Sequence, residues 1–551
     1  MPRTKKLLSI NNLKKYFPVA KSSIFQKEQL YVRANEDITL DIYEGETLGL
    51  VGESGCGKST LGRTVLQLYD QTAGNSIYYG RTLDDLAPSY VEETLKNSHK
   101  MIEEYKKLAE KAKTLEKECE DAGEDATFFQ HQKKNLALAE AETAFQKVVK
   151  ILGGFAALED PSEGAEFLLE KYKTSVELAK RKKRIAELDA EIDFYTSSVK
   201  ELNAVPETVK NKEKKIASAE KKAERFKAQK SEEEKSIAAL ERKLSEDEAR
   251  ISALKDKYSG NAEFSRYEEY LDDGIDLSRL KYNEMRLLRK DLQVIFQDPY
   301  SSLNPRMTVG QIIEEGLVTH GFFKHGSPQM KEYILKVMRQ CGLQDYMMHR
   351  YPHQFSGGQR QRICIARSLA VNPKFVVCDE CVSALDVSIQ SQIINLLEEL
   401  KEKQNLTYLF ISHDLSVVRY ISDRIGVMYL GNIVEFGDAE TIFKDPRHPY
   451  TVALLSSIPT TEADGAKQER IILEGNIPSP IKPPEGCKFH TRCYMACDKC
   501  KRVPPPYVEV DSGHYVACHF LDKKIDDDGK YLFEIKKADA NAETKETESN
   551  V

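Results

Sequence analysis

Eight residues constrain this chain more than any others: Gly52-Glu53-Ser54-Gly55-Cys56-Gly57-Lys58-Ser59 is a full G-x-x-x-x-G-K-S phosphate loop. The apolar run Thr47-Leu-Gly-Leu-Val51 leads into it, and a helical stretch from Ser59 to Leu68 leads out. This strand–loop–helix context is what a phosphate loop requires: backbone N–H groups point at phosphate oxygens and the helix dipole adds to the attraction. Gly52, Ser54, Gly55, Cys56, Gly57, Lys58, Ser59 and Thr60 form the expected cradle. Lys58 is expected to reach the β- and γ-phosphates, and the Ser59 hydroxyl to hold Mg2+.

The partners of this loop stand far away. Phe355-Ser356-Gly357-Gly358-Gln359 comes about three hundred residues later, followed by the short buried-strand pattern Phe375–Cys378 and then Asp379-Glu380. By themselves, two acids at a strand end are ordinary solvated carboxylates. Beside a phosphate loop, Asp379 is expected to ligate Mg2+ and Glu380 to polarise the attacking water. A lone His413 ends another apolar strand, 33 residues after Glu380.

At Ser356-Gly357-Gly358-Gln359 the ordered set resembles the ATP-binding cassette family. The resemblance implies an α/β P-loop cassette with a mixed sheet core, an antiparallel β subdomain and a helical signature subdomain. Gln297, in Phe296-Gln297-Asp298-Pro299, matches the Q-loop glutamine that contacts Mg2+. Ser383-Ala-Leu-Asp386 matches the D-loop, and His413 matches the switch histidine. An aromatic, Tyr16 or Phe17, is expected to stack on adenine. The resemblance also implies that the signature residues Ser356, Gly357, Gly358 and Gln359 complete the site of a second cassette. One motif set in one chain then calls for a partner cassette.

Several segments are similar to one branch, the ATPase subunits of oligopeptide/dipeptide importers of the F type: Phe296–Met307, Val382–Gln390 and His448-Pro-Tyr-Thr451 with Ile458-Pro459. The similarity covers about 1–85 and 274–522. Cys381 departs from the family's usual proline after the catalytic glutamate. Of 11 cysteines, five crowd into 487–518. In a chain expected to lack an export signal, that crowding suggests a metal or cluster rather than disulfides. Cys487, Cys493, Cys500 and Cys518 match the branch's C-terminal pattern, for which the resemblance implies a [4Fe-4S] cluster. Zinc and unmetallated thiols are the alternatives, since thiolates suit iron–sulfur and zinc alike. Cys497 is extra, and makes a spacing like the radical-SAM triplet. The surrounding fold argues against that chemistry.

From about residue 87 to 273 the composition turns to Lys, Glu, Ala and Leu. Leu178, Ile185, Leu188, Ile192, Tyr195, Val199 and Leu202 form a heptad seam. Pro206 breaks it, and a second seam runs from Val209 through Ala219, Ala223, Phe226, Ile251 and Leu254 to Tyr258. Lys230, Glu233 and Asp247 interrupt that second seam. The pattern predicts an inserted antiparallel α-helical coiled-coil arm, with a helical stretch at about 90–152 before it. The expected division is 1–86 and 274–455 for the cassette, 87–273 for the arm, 456–522 for a small Cys-rich extension and 523–551 for a disordered tail.

Net charge is −7, which gives no general argument for nucleic acid. No apolar run approaches the roughly 18–20 residues that span a bilayer. The expectation is a peripheral ATPase on the cytoplasmic face of the inner membrane, using ATP and Mg2+. The resemblance implies a heterodimer with a second ATPase subunit, two permease subunits and an extracytoplasmic substrate-binding protein. The arm's partner is open. A coiled-coil ATPase of DNA repair or chromosome maintenance is the alternative. In those proteins the Q-loop precedes the arm, whereas Gln297 follows it here.

Overall fold

The computed structural model describes residues 5–21, 28–123, 126–204, 212–458 and 471–521. Val209, Pro206 and the 523–551 tail lie outside the described residues. The chain divides into two compact units. One takes the residues up to Gly80, Asp276–Ser278 and everything from Met285 onward; the other takes Arg81–Ile275 and Arg279–Glu284.

The first unit is built on an eight-stranded sheet. From one edge its order is Leu292–Ile295, Phe375–Asp379, Thr407–Ile411, Thr47–Val51, Arg424–Tyr429, Asn432–Asp438, His514–Ala517 and Tyr507–Asp511. The first five strands are mutually parallel. Thr47–Val51, Phe375–Asp379 and Thr407–Ile411 are buried along their whole length. That explains their continuous apolar runs, because a parallel strand covered on both faces has no polar side to alternate with. Helix Lys58–Val65 lies tight on this sheet: a Cβ on Gly62 would come 2.8 Å from Val377 and 3.0 Å from Ile411.

A second, antiparallel sheet pairs Lys6–Pro18 with Tyr31–Tyr43 on one side and Ala73–Tyr78 on the other. The helices Val309–Thr319, Pro328–Gln340 and Gly357–Leu369 share their apolar faces with the main sheet, through Ile313, Leu317, Ile334, Met338 and Ile363.

The Cys-rich segment belongs to this unit. Its hairpin, Tyr507–Asp511 with His514–Ala517, adds antiparallel to Asn432–Asp438, so the cassette's last strand is not left as an open edge. Phe489 is buried against Tyr429 and Tyr450, with ring centroids at 5.1 and 5.3 Å. Lys488 Nζ donates to Glu36 Oε2 at 2.7 Å. Burial by itself would raise the Glu36 carboxyl. Lys488, Arg33 and the Tyr16 hydroxyl outweigh it and bring the pKa from 4.5 to about 2.

The second unit is helical. Ser98–Ala122 and Phe128–Leu152 run antiparallel, as the pairs Lys111–Glu140 and Tyr105–Phe145 show. Thr127 and Gln130 cap the second of these with a reciprocal box. Ser162–Ala204 and Lys212–Tyr258 make a longer antiparallel hairpin, with Lys171 opposite Glu248 and Tyr195 stacked on Phe226. Leu178, Leu188, Ala219, Ala223, Ile251 and Leu254 of the two seams are buried. The polar interruptions all find partners across the hairpin. Lys230 Nζ donates to Asp189 at 2.6 Å, Arg181 Nη1 to Glu233 at 2.8 Å, and the Thr174 hydroxyl to buried Asp247 at 3.2 Å. Among the described residues no helix is long and apolar enough to cross a membrane.

Candidate functional site

The phosphate loop sits where Thr47–Val51 meets helix Lys58–Val65, and its glycines are required by geometry. Gly57 caps the helix at φ +105°, and a Cβ there would stand 2.1 Å from Ala34 O. Gly52 has φ +144°, and its Cβ would stand 2.2 Å from Met428 O. Both positions combine a backbone region hostile to side chains with no room for one. Ser54 and Gly55 are exposed at the loop's crest. Lys58 is buried and curls back, donating from Nζ to Gly52 O at 2.7 Å and Glu53 O at 3.2 Å. Burial raises the Cys56 thiol above its ordinary range, although Lys58 Nζ lies 3.7 Å away.

The remote strand Phe375–Asp379 delivers its acids to this loop. Ser59 Oγ donates to Asp379 Oδ1 at 2.5 Å, and Arg63 Nη2 to Asp379 Oδ2 at 3.0 Å. Asp379 is 1% exposed. A hydroxyl and a carboxylate so placed can share a hard divalent cation. The oxygen-donor character of Ser59, Asp379 and Gln297 fits Mg2+.

Glu380 follows with φ +48°, a left-handed conformation rare for a residue with a long side chain, and its N–H donates to Ile411 O. Gln297 Nε2 donates to Glu380 Oε2 at 2.7 Å, and His413 Nδ1 lies 3.7 Å from the same oxygen. The three residues expected to be catalytic are therefore gathered around one carboxylate.

Tyr16 and Phe17 separate. Tyr16 is 5% exposed and its hydroxyl donates to Glu36 Oε1 at 2.8 Å, so its ring belongs to the interior. Phe17 is partly exposed, with Lys15 Nζ 4.6 Å from its ring centre and Tyr69 edge-on at 5.5 Å. The expectation of adenine stacking is corrected for Tyr16 by its burial and stays with Phe17.

Ser356 is the exposed N-cap of helix Gly357–Leu369. Its Oγ accepts from Gln359 N, and Gln359 Oε1 accepts from Ser356 N. A Cβ on Gly358 would meet Ile389 at 2.4 Å, so helix Val387–Gln404 packs onto the signature turn. Asp386 caps that second helix without a side-chain bond and is exposed, and Val387 beside it is 79% exposed.

The cysteine set is less converged than its spacing suggests. Cys497 and Cys500 Sγ are 3.6 Å apart, and the Cys487 N–H donates to Cys500 O at 2.8 Å. Burial, with Cys518 and Cys497 nearby, raises the Cys487 thiol. Yet among the described residues no three His, Cys, Asp or Glu side chains come together as a metal-binding group. Cys487, Cys497, Cys500 and Cys518 lie near one another as thiols, short of the expected four-ligand arrangement of Cys487, Cys493, Cys500 and Cys518.

Three further residues at the site belong to none of the nucleotide-site motifs. Arg63 lies one helical turn beyond Ser59, a spacing that could have flagged it. Tyr450 accepts at Oη from Glu53 N at 2.8 Å, and Arg492 grips the Glu53 carboxylate. Nothing in the sequence around Tyr450 and Arg492 points to the phosphate loop.

These features define a P-loop ATPase, and the chain belongs to the ABC transporter family. The family model described as ABC transporter matches residues 35–263 and 251–383. The model described as Oligopeptide/dipeptide transporter, C-terminal region, matches 434–500. The oligopeptide transport ATP-binding protein AppF of Bacillus subtilis is 53% identical over 248 residues, 45% of this chain and 75% of that protein. A putative peptide import ATP-binding protein of Brucella ovis is 52% identical over 246 residues, 45% of this chain and 77% of that protein. A solved dimeric ATP-binding cassette, MJ0796 bound to ADP and Pi, covers 79% of this chain and 99% of its own at 16% identity and a TM-score of 0.39. The chain is the ATP-hydrolysing subunit of an ABC importer, with ATP and Mg2+ as its ligands. The DNA-maintenance alternative finds no support in these matches.

Proposed function

We propose that this chain hydrolyses ATP to drive import of oligopeptides or dipeptides, as one of two paired cassettes beneath two permease subunits. It works at the cytoplasmic face of the inner membrane, and an extracytoplasmic binding protein supplies the substrate. The observation that carries the chemistry is the gathering of Gln297 and His413 around Glu380, next to the Ser59–Asp379 pair. The C-terminal match at 434–500 supports the peptide class.

The loop amides of Gly55, Cys56, Gly57, Lys58, Ser59 and Thr60 bind the triphosphate, and Lys58 exchanges its carbonyl partners for phosphate oxygens. Ser59 and Asp379, with Gln297, would hold Mg2+, which would supply charge neutralisation at the transferring phosphoryl group. Glu380 orients water and accepts its proton, while Gln297 and His413 hold the carboxylate in line. Phe17 stacks on the base. Ser356, Gly357, Gly358 and Gln359, with Asp386, face the nucleotide of the second cassette, which fits the exposure of Ser356 and Asp386. Burying ATP between two cassettes couples hydrolysis to motion in the permeases.

Glu380→Gln is expected to lower ATP turnover by about a thousandfold or more while MgATP binding persists. Undiminished hydrolysis would remove Glu380 from its role. Uptake of a labelled dipeptide by cells carrying the whole transporter tests the substrate class; accumulation of nickel instead would reassign it. The thiols of 487–518 are assigned a soft metal or iron–sulfur cluster on their donor chemistry. Anaerobic purification with iron and sulfide analysis tests this, and colourless, iron-free protein would leave plain thiols. The 87–273 arm is read as a docking element for another subunit or regulator. Deletion of 95–268 with normal assembly and transport would reduce it to a tolerated insertion.

A further inference from the structure

The phosphate loop carries an acid of its own. Glu53 lies one residue after Gly52, on a loop that must receive a polyanion, and a bare carboxylate there would repel phosphate. It is not bare. Arg492, from the Cys-rich lobe more than four hundred residues away, donates from Nη1 to Glu53 Oε2 at 2.6 Å and from Nη2 to Oε1 at 2.9 Å. The arginine side chain is 7% exposed. A two-pronged guanidinium–carboxylate pair whose arginine is buried fixes geometry as well as charge. The same lobe boundary supplies a second hold, Tyr450 Oη on Glu53 N at 2.8 Å, and Tyr450 packs edge-on against Tyr429 at 4.8 Å. Lys58 Nζ in turn donates to Glu53 O at 3.2 Å. One residue of the loop is thus held at its carboxylate, its N–H and its carbonyl.

We propose that Arg492 is a positioning residue for nucleotide binding: it cancels the Glu53 charge and fixes Glu53, so the Cys-rich lobe sets the electrostatics of a phosphate loop to which it does not belong. This rests on the reading of residues 52–60 as the ATP cradle. It makes the extension part of the ATP site rather than an appendage. Because Cys493 is the next residue, whatever fixes the backbone of the cysteine segment also fixes the arginine.

The test measures equilibrium MgATP binding to the full-length chain, carrying Glu380→Gln to prevent turnover. Arg492→Ala is expected to weaken binding about tenfold, because it bares Glu53. Adding Glu53→Gln to Arg492→Ala is expected to restore affinity to within about threefold, because the repelling charge is gone. The defect of Arg492→Ala should shrink at high salt. Arg492→Lys should fall between wild type and Arg492→Ala, as it keeps the charge and loses the fork. Binding by Arg492→Ala equal to wild type would overturn the proposal. So would a double variant as weak as Arg492→Ala alone, which would mean the arginine merely props up the lobe. Failure of the Glu380→Gln parent to bind MgATP would overturn the cradle reading itself, and the proposal with it.

Discussion

The cassette and the helical arm are both rich in charge, and they use it in opposite ways. In the cassette the decisive charges are buried and held singly: Lys58 in its loop, Asp379 between Ser59 and Arg63, and Glu46 against Arg424 at 2.7 Å. In the arm, buried Asp247 apart, charges pair in number on exposed helix faces, as in Lys182–Glu241 and Arg184–Glu187. A buried charge costs several kcal/mol unless its partner is placed well. An exposed pair contributes about 0–1 kcal/mol wherever it sits. The cassette therefore tolerates little change at few positions, and the arm tolerates much change at many.

The sharpest way to break this contrast is at Gly57. Its φ of +105° and the 2.1 Å approach to Ala34 O leave no place for a methyl group. Gly57→Ala is expected to lower MgATP affinity about a hundredfold or more, read by equilibrium binding. Near-normal binding would show a loop as forgiving as the arm.

Next comes Glu36, whose carboxyl pKa is brought down to about 2, because Lys488 and its other partners outweigh burial. The folded state then binds this proton more weakly than the unfolded state. The stabilisation is complete above pH 4.5 and is lost as pH falls from 4.5 to 2. It amounts to about 3 kcal/mol. Urea unfolding across that window should show a steep decline in the wild type and a shallower one in Glu36→Gln. Parallel slopes would sink the assignment.

The arm's apolar seam should respond less. Leu188 is 1% exposed, and Leu188→Ala is expected to cost about 2 kcal/mol, read as an earlier helix-melting transition. Smallest of all is Lys182→Ala, which removes an exposed pair with Glu241. A change within about 0.5 kcal/mol is expected. A larger loss there would mean the arm's surface charges act as a network.

The two regions also differ in how much of them could be read beforehand. The arm's antiparallel hairpin follows from the period of Leu178, Leu188, Ala219 and Ala223, because a seam repeats its signal every turn. Its polar interruptions were legible, but their partners were not. Lys230 meets Asp189 through a register that only the folded hairpin fixes. In the cassette, Gly52–Ser59, Asp379-Glu380 and His413 announce themselves as local patterns. Tyr16 and Phe17 could not be told apart from sequence, since neighbouring strand residues face opposite sides and only burial says which side is covered. The cysteine spacing suggested a four-ligand set, and among the described residues no three such ligands converge.

What the sequence determined by itself is the set of local patterns: the phosphate-loop sequence Gly52–Ser59, the acid pair Asp379-Glu380 at a strand end, and the Ser356–Gln359 turn. Each rests on backbone-scale geometry written into a few contiguous residues. Tertiary structure alone decided the joins between them. It placed Ser59 against Asp379, gathered Gln297 and His413 on Glu380, and set Arg492 on Glu53. Those contacts span 33 to 439 residues of chain. They exist because the sheet order and a distant lobe bring charges together, and no local pattern encodes a Coulomb partner that far away.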